Sequence, residues 1–156
     1  MFTHQLASLK IEALNKMQLA TIEAAKPHAD ILLLSPTGSG KTLAFLLPVL
    51  KGLDASKPGV QALILIPSRE LAIQIEQVFK QMSTGFKINC CYGGHATRIE
   101  KNNLSSPPAV LVGTPGRIAY HARNKNFDAT SVQTLVLDEF DNCLLYTSDA
   151  ADDLLC

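Results

Sequence analysis

The chain alternates short apolar runs with longer stretches in which apolar residues return every three or four positions. The runs are "ILLLS" from Ile31, "ALILIPS" from Ala62, "KINCCYGG" from Lys87, "AVLVGT" from Ala109 and "TLVLDEF" from Thr134. Nearly continuous apolar runs suit strands covered on both faces, whereas "GKTLAFLLPVLKGL" and "RELAIQIEQVFKQM" carry the helical period. The pattern therefore predicts β-α-β units repeated: an α/β fold with a parallel sheet flanked by helices. Ahead of the first run, "FTHQLASLKIEALNKMQLATIEAAK" has room for two short helices and stops at Pro27. The polar, proline-bearing stretches "DASKPG" and "NNLSSPP" read as loops. No second domain is expected.

Composition narrows the partners only slightly. The 156 residues suit one domain of the usual roughly 100–200 residues, and 47% hydrophobic with 18% charged residues reads as soluble and globular. Fourteen basic residues balance fourteen acidic ones, so no global positive field favours nucleic acid and any such site must arise locally. Apolar stretches such as "ILLL" fall far short of the about 20 residues that span a bilayer, and the cytosol is the expected location. Cys90 and Cys91 are adjacent while Cys143 and Cys156 stand apart. With no C-x-x-C spacing, all four are expected as reduced thiols.

Candidate chemistry concentrates where predicted strands end. "SPTGSGKT", Ser35 to Thr42, leads from the first predicted strand into a helix. Gly38 and Gly40 let backbone N–H groups approach an anion, the helix start adds its dipole, and Lys41 supplies a point charge. Thr42 can offer a hydroxyl to Mg²⁺. The usual phosphate-loop pattern opens on Gly where this chain has Ser35, but the core Thr37-Gly38-Ser39-Gly40-Lys41-Thr42 is intact. Near the other end, "LVLDEFD" delivers Asp138, Glu139 and Asp141 directly after apolar residues. A nucleoside-triphosphate site needs an acid for its Mg²⁺, which fits Asp138, and a separate carboxylate for the attacking water, which fits Glu139.

Taken in order, "SPTGSGKT", "PSRELA", the Gly93–Gly94 doublet, "TPGR" and "DEFD" resemble the first RecA-like domain of DEAD-box RNA helicases, over residues 1–142. The stretch "LKIEALNKMQLATI", within a lead-in of about residues 1–27, resembles the family's Q motif, which implies that Gln18 reads the adenine edge. The resemblance implies ATP with Mg²⁺ as cofactors, with Thr37, Gly38, Ser39, Gly40, Lys41 and Thr42 on the nucleotide. It implies a catalytic set of Lys41, Asp138 and Glu139, and an interdomain role for Asp141. The chain departs from the family at Phe140, where the usual residue is Ala; the metal, water and interdomain roles fall on the other three letters.

"PSRELA" and "TPGR" each follow a predicted strand and open a predicted helix, so free N–H groups lie beside an Arg. The resemblance assigns Ser68, Arg69, Gly94, Thr114, Gly116 and Arg117 to RNA, single-stranded or duplex, gripped through its sugar-phosphate backbone. Backbone contacts carry no base information, so binding without strong sequence preference is expected. No aromatic stacking row is evident in the sequence. Two other readings stay open: a different phosphate-loop ATPase acting on DNA, and a non-catalytic nucleotide- or RNA-binding fragment. The family works by closing two RecA-like domains, and the second is not in this chain; weak or absent activity of the 156 residues alone is the expectation. The tail, residues 143–156, matches nothing in the family, reads as a non-native end, and leaves a sheet edge unpaired.

Overall fold

Val110–Gly113 (β3) is buried along its whole length, because it has a parallel strand on each side. The structure, a computed structural model, describes residues 2–94 and 96–141. The sheet also contains Ala62–Leu65 (β1), Ile88–Cys91 (β2) and Thr134–Leu137 (β4), in the order β2-β3-β1-β4. All pairings are parallel, with Ala62 opposite both Val110 and Thr134, and Ile88 opposite Val110. Helices Arg69–Gln81 (α4), Thr97–Leu104 (α5) and Pro115–Arg123 (α6) make the crossovers. The α/β reading of the sequence thus holds, with helices flanking a parallel sheet.

The described residues divide into two units. One comprises residues 54–77, 85–94 and 96–141 and contains the sheet. Its core cluster gathers Val60, Cys91, Leu104, Leu111, Ile118 and Phe127, with Leu63, Leu65, Ala122 and Val132 packed against it. At Gly113 the backbone approach is so close that a Cβ would stand 2.3 Å from the Cys91 carbonyl oxygen. The stretch "NNL" was expected in a loop but completes α5, because Leu104, 2% exposed, anchors that helix to the core.

The other unit comprises residues 2–53 and 78–84. The two lead-in helices are Thr3–Ser8 (α1) and Lys16–Ala24 (α2), and Lys41–Gly52 (α3) follows the glycine-rich loop. Asn15 and Gln18 close a reciprocal capping box on α2, each side chain accepting from the other's backbone N–H at 2.9 Å. Helix α3 buries Leu43, Ala44, Leu46, Leu47 and Val49 despite Pro48 in its interior.

Two expectations about the strands are corrected. The run from Ile31 forms no strand, and Leu32 and Leu34 are 70% and 78% exposed. An apolar run becomes a strand only where another strand offers its N–H and C=O groups, and none of the described strands pairs with this one. Nor is every strand covered on both faces: β4 ends the sheet, and Leu135 and Leu137 are 56% and 40% exposed. The tail expected at 143–156, with Cys143 and Cys156, lies outside the described residues. Among those residues no helix is long and apolar enough to cross a membrane.

Candidate functional site

Three parallel strands end on the same side of the sheet, and the segments leaving them enclose a hollow of about 510 Å³. Pro67 and Arg69 come from the β1–α4 junction, Gly93 from the turn after β2, and Thr114, Gly116, Arg117 and Tyr120 from the start of α6. Local chemistry explains each element. Ser68 Oγ accepts from Leu71 N–H at 3.3 Å and so caps α4. Pro115 occupies the first turn of α6, where a missing N–H costs nothing, and Thr114 precedes it in an extended conformation without a side-chain cap. Gly94 takes φ +83°, which favours glycine, and a Cβ there would lie 3.7 Å from Arg69 Nη1.

Both arginines are held by aromatic rings. The Arg69 guanidinium lies 5.0 Å from the Tyr92 ring centre, and that of Arg117 lies 5.1 Å from the Tyr120 ring centre. Arg117 is also braced from within: Nε donates to Glu100 Oε2 at 2.7 Å and Nη2 to Thr97 Oγ1 at 2.6 Å, leaving its side chain 18% exposed. The Glu100 carboxylate, fully buried, accepts further bonds from His121 Nε2 at 2.7 Å and from Tyr92 N–H at 3.0 Å. On its far side the His121 ring meets Asn126 Nδ2 through Nδ1 at 2.8 Å.

Cys91, Glu100 and His121 bring three metal-type donors within 4.8 Å of one another. Their chemistry nevertheless favours a hydrogen-bond network, because Glu100 already accepts from three N–H donors and one of them carries the Arg117 charge. The Cys91 thiol is pushed up to about 12, first by burial and then by the Glu100 carboxylate. That keeps it protonated.

Of the residues expected on RNA, Arg69, Thr114, Gly116 and Arg117 line one hollow. Gly94 adjoins Arg69, while the Ser68 hydroxyl turns to its helix cap. Two aromatic rings do border the hollow, Tyr92 and Tyr120, and each carries an arginine. Sequence reasoning also missed Glu100, Thr97 and His121. The available signal was spacing: Glu100 stands four residues before the buried Leu104, on the same helix face.

The glycine-rich loop belongs to the other unit. Gly38 and Gly40 adopt φ +79° and +87°. Lys41 Nζ donates to the Ser35 carbonyl at 2.7 Å and the Pro36 carbonyl at 3.3 Å, so its ammonium is folded over the loop. Ser35, which replaces the usual glycine, hydrogen-bonds Ser39 side chain to side chain within the loop. The lead-in reaches the same loop: Asn15 Nδ2 donates to Ser39 O at 3.0 Å, and Gln18 Nε2 to Gly40 O at 3.2 Å. Thr37 is exposed and Thr42 half-buried in the first turn of α3. In the sheet-bearing unit, Asp138 N–H donates to Leu65 O at 3.0 Å, which registers the acid against the end of β1. Glu139 follows at φ +50°, a left-handed conformation that a non-glycine residue seldom takes, with its N–H on Asp138 Oδ1 at 3.1 Å. Glu139 and Asp141 are exposed.

The family model for DEAD/DEAH box helicases matches residues 15–153. The chain belongs to that family. This DEAD/DEAH box chain is 38% identical over 141 residues to an ATP-dependent rRNA helicase, RRP3, of Encephalitozoon cuniculi, covering 89% of itself and 35% of that protein. It is 39% identical over 139 residues to the ATP-dependent RNA helicase DDX47 of Drosophila melanogaster, covering 87% of itself and 27% of that protein. Its fold matches the yeast DEAD-box splicing factor Prp28 with a TM-score of 0.82 at 32% identity, over 96% of this chain and 38% of that one. The DEAD/DEAH box chain thus spans about a third of the length of these relatives.

Proposed function

We propose that residues 1–142 are the ATP- and RNA-binding N-terminal RecA-like domain of a DEAD-box RNA helicase whose whole protein remodels RNA duplexes at the expense of ATP. The observation that carries the RNA side is the pairing of Arg69 and Arg117 on one hollow with the amino termini of α4 and α6. Two guanidiniums and two helix starts suit successive phosphates, and they suit no particular base. Thr114 and Gly116 supply close backbone approach at the α6 start. Gly94 and Ser68 border Arg69 in the same reading.

For the nucleotide, the loop at Ser35–Thr42 fits a phosphate group. Gly38 and Gly40 hold positive φ, a conformation in which backbone N–H groups can turn toward an anion. Thr37 to Thr42 would hold the phosphates, Lys41 lending its ammonium, and Gln18 would read the adenine edge on exchanging its bonds to Gly40 O and Asn15 N–H. The oxygen donors Thr42 and Asp138 have the hardness that suits Mg²⁺. ATP with Mg²⁺ supplies the phosphoryl-transfer chemistry when bound. Glu139 is the carboxylate to orient or deprotonate water, and Asp141 faces a second RecA-like domain in the whole protein.

Fluorescence anisotropy of a labelled oligouridylate, titrated with this chain across a salt series, tests the RNA reading. Arg69→Ala and Arg117→Ala should each weaken binding and flatten the salt slope by about 0.7. Undiminished binding by both variants would remove it.

A further inference from the structure

The geometry points to Glu100 as a positioning residue that orients both arginines of the hollow; this rests on the RNA reading above. One buried carboxylate ties three elements together. Through Oε2 it holds Arg117 Nε at 2.7 Å, and through Oε1 it holds the Tyr92 backbone N–H at 3.0 Å. Tyr92 in turn carries Arg69 on its ring and leads into the Gly93–Gly94 turn. Glu100 therefore acts on Arg117 directly and on Arg69 through Tyr92.

Arg117 lines the hollow with its Nε edge committed to Glu100 and Nη2 to Thr97. A guanidinium is planar, so two fixed bonds set the plane in which its remaining surface meets a ligand. An arginine anchored in this way loses little side-chain entropy when RNA arrives. His121 contributes as well, its Nε2 on the same Oε2 at 2.7 Å and its Nδ1 braced by Asn126. The carboxylate thus has two partners besides Arg117, His121 and the Tyr92 N–H, that resist its moving with the arginine.

Charge alone makes the opposite prediction. Glu100 is an acid beside an anion site, and on electrostatics its removal should strengthen RNA binding. Positioning predicts weakening. Two substitutions separate the cases: Glu100→Asp keeps the charge but withdraws it by about one bond length, whereas Glu100→Gln removes the charge and turns one of the two accepting oxygens into an NH2 group that meets either Tyr92 N–H or the Arg117 and His121 donors.

The measurement is oligouridylate affinity by anisotropy on this chain, with folding checked by circular dichroism and thermal melting. Glu100→Asp and Glu100→Gln should each lose roughly fivefold or more. Glu100→Asp should lose less affinity in the Arg117→Ala background than in wild type, the residual loss passing through Tyr92 and Arg69. Wild-type affinity in Glu100→Asp, or tighter binding in Glu100→Gln, would overturn the inference. If Glu100→Asp does not fold, the double-mutant cycle between Glu100→Gln and Arg117→Ala decides: additive losses overturn it and coupled losses support it. Undiminished binding by Arg117→Ala alone would overturn the inference, and undiminished binding by Arg69→Ala as well would strike down the RNA reading on which it stands.

Discussion

Gln18 Nε2 donates to the Gly40 carbonyl at 3.2 Å, and a Cβ placed on Gly40 would stand 2.6 Å from that same nitrogen. Gln18 cannot swing aside cheaply, because its Oε1 closes the capping box with Asn15. The φ of +87° at Gly40 adds strain for any side chain. Gly40→Ala should therefore cost about 1 kcal/mol of stability and weaken binding of a fluorescent ATP analogue severalfold. Unchanged binding and melting would show that the loop does not need this glycine.

Lys41 makes its hydrogen bonds to carbonyls of its own loop, Ser35 O and Pro36 O, rather than to core groups. Lys41→Ala should lower ATP affinity roughly tenfold or more while shifting stability by less than about 0.5 kcal/mol. Equal ATP affinity in titrations of the two proteins would remove the phosphate-cradle assignment.

The Cys91 thiol, 9.0 in the open chain, is pushed to about 12 in the fold, by burial first and by Glu100 next. Below about pH 9 both states keep the proton and the thiol does not oppose folding. Between 9.0 and about 12 the unfolded chain releases a proton that the folded one retains, so stability is lost as pH rises. Thermal melts at about pH 8 and about pH 10.5 should show a larger fall for wild type than for Cys91→Ala. Equal falls would refute the assignment.

Leu135 is 56% exposed on β4, the strand that ends the sheet. An apolar edge strand templates pairing with other chains, and a lysine there blocks it. Leu135→Lys should raise the concentration at which light scattering appears and leave stability within about 0.5 kcal/mol. Unchanged scattering would show that this edge is not where chains associate.

The strand runs from Ala62, Lys87, Ala109 and Thr134 were legible because each is a brief Val-, Ile- or Leu-rich stretch bounded by turn residues, and each found a parallel neighbour. The run from Ile31 looks the same in sequence and forms no strand. Periodicity reports what a segment can bury, while a strand also needs a partner for its backbone. Helix α5 escaped notice for a related reason, since "NNL" has weak helical preference and Leu104 is what secures it to the core.

By itself, the sequence determined the α/β class, four of the strand positions and the residue types at strand ends, because period, glycine placement and helix-start chemistry are local properties. Only the tertiary structure decided which of those residues meet. Glu100, Tyr92, Thr97 and Arg117 come from β2's end, α5 and α6, and nothing in their spacing along the chain pairs them. The close packing of β2 and β3 at Gly113 brings these elements together. There, burial makes hydrogen bonding obligatory for a carboxylate, and it selects partners that sequence distance conceals.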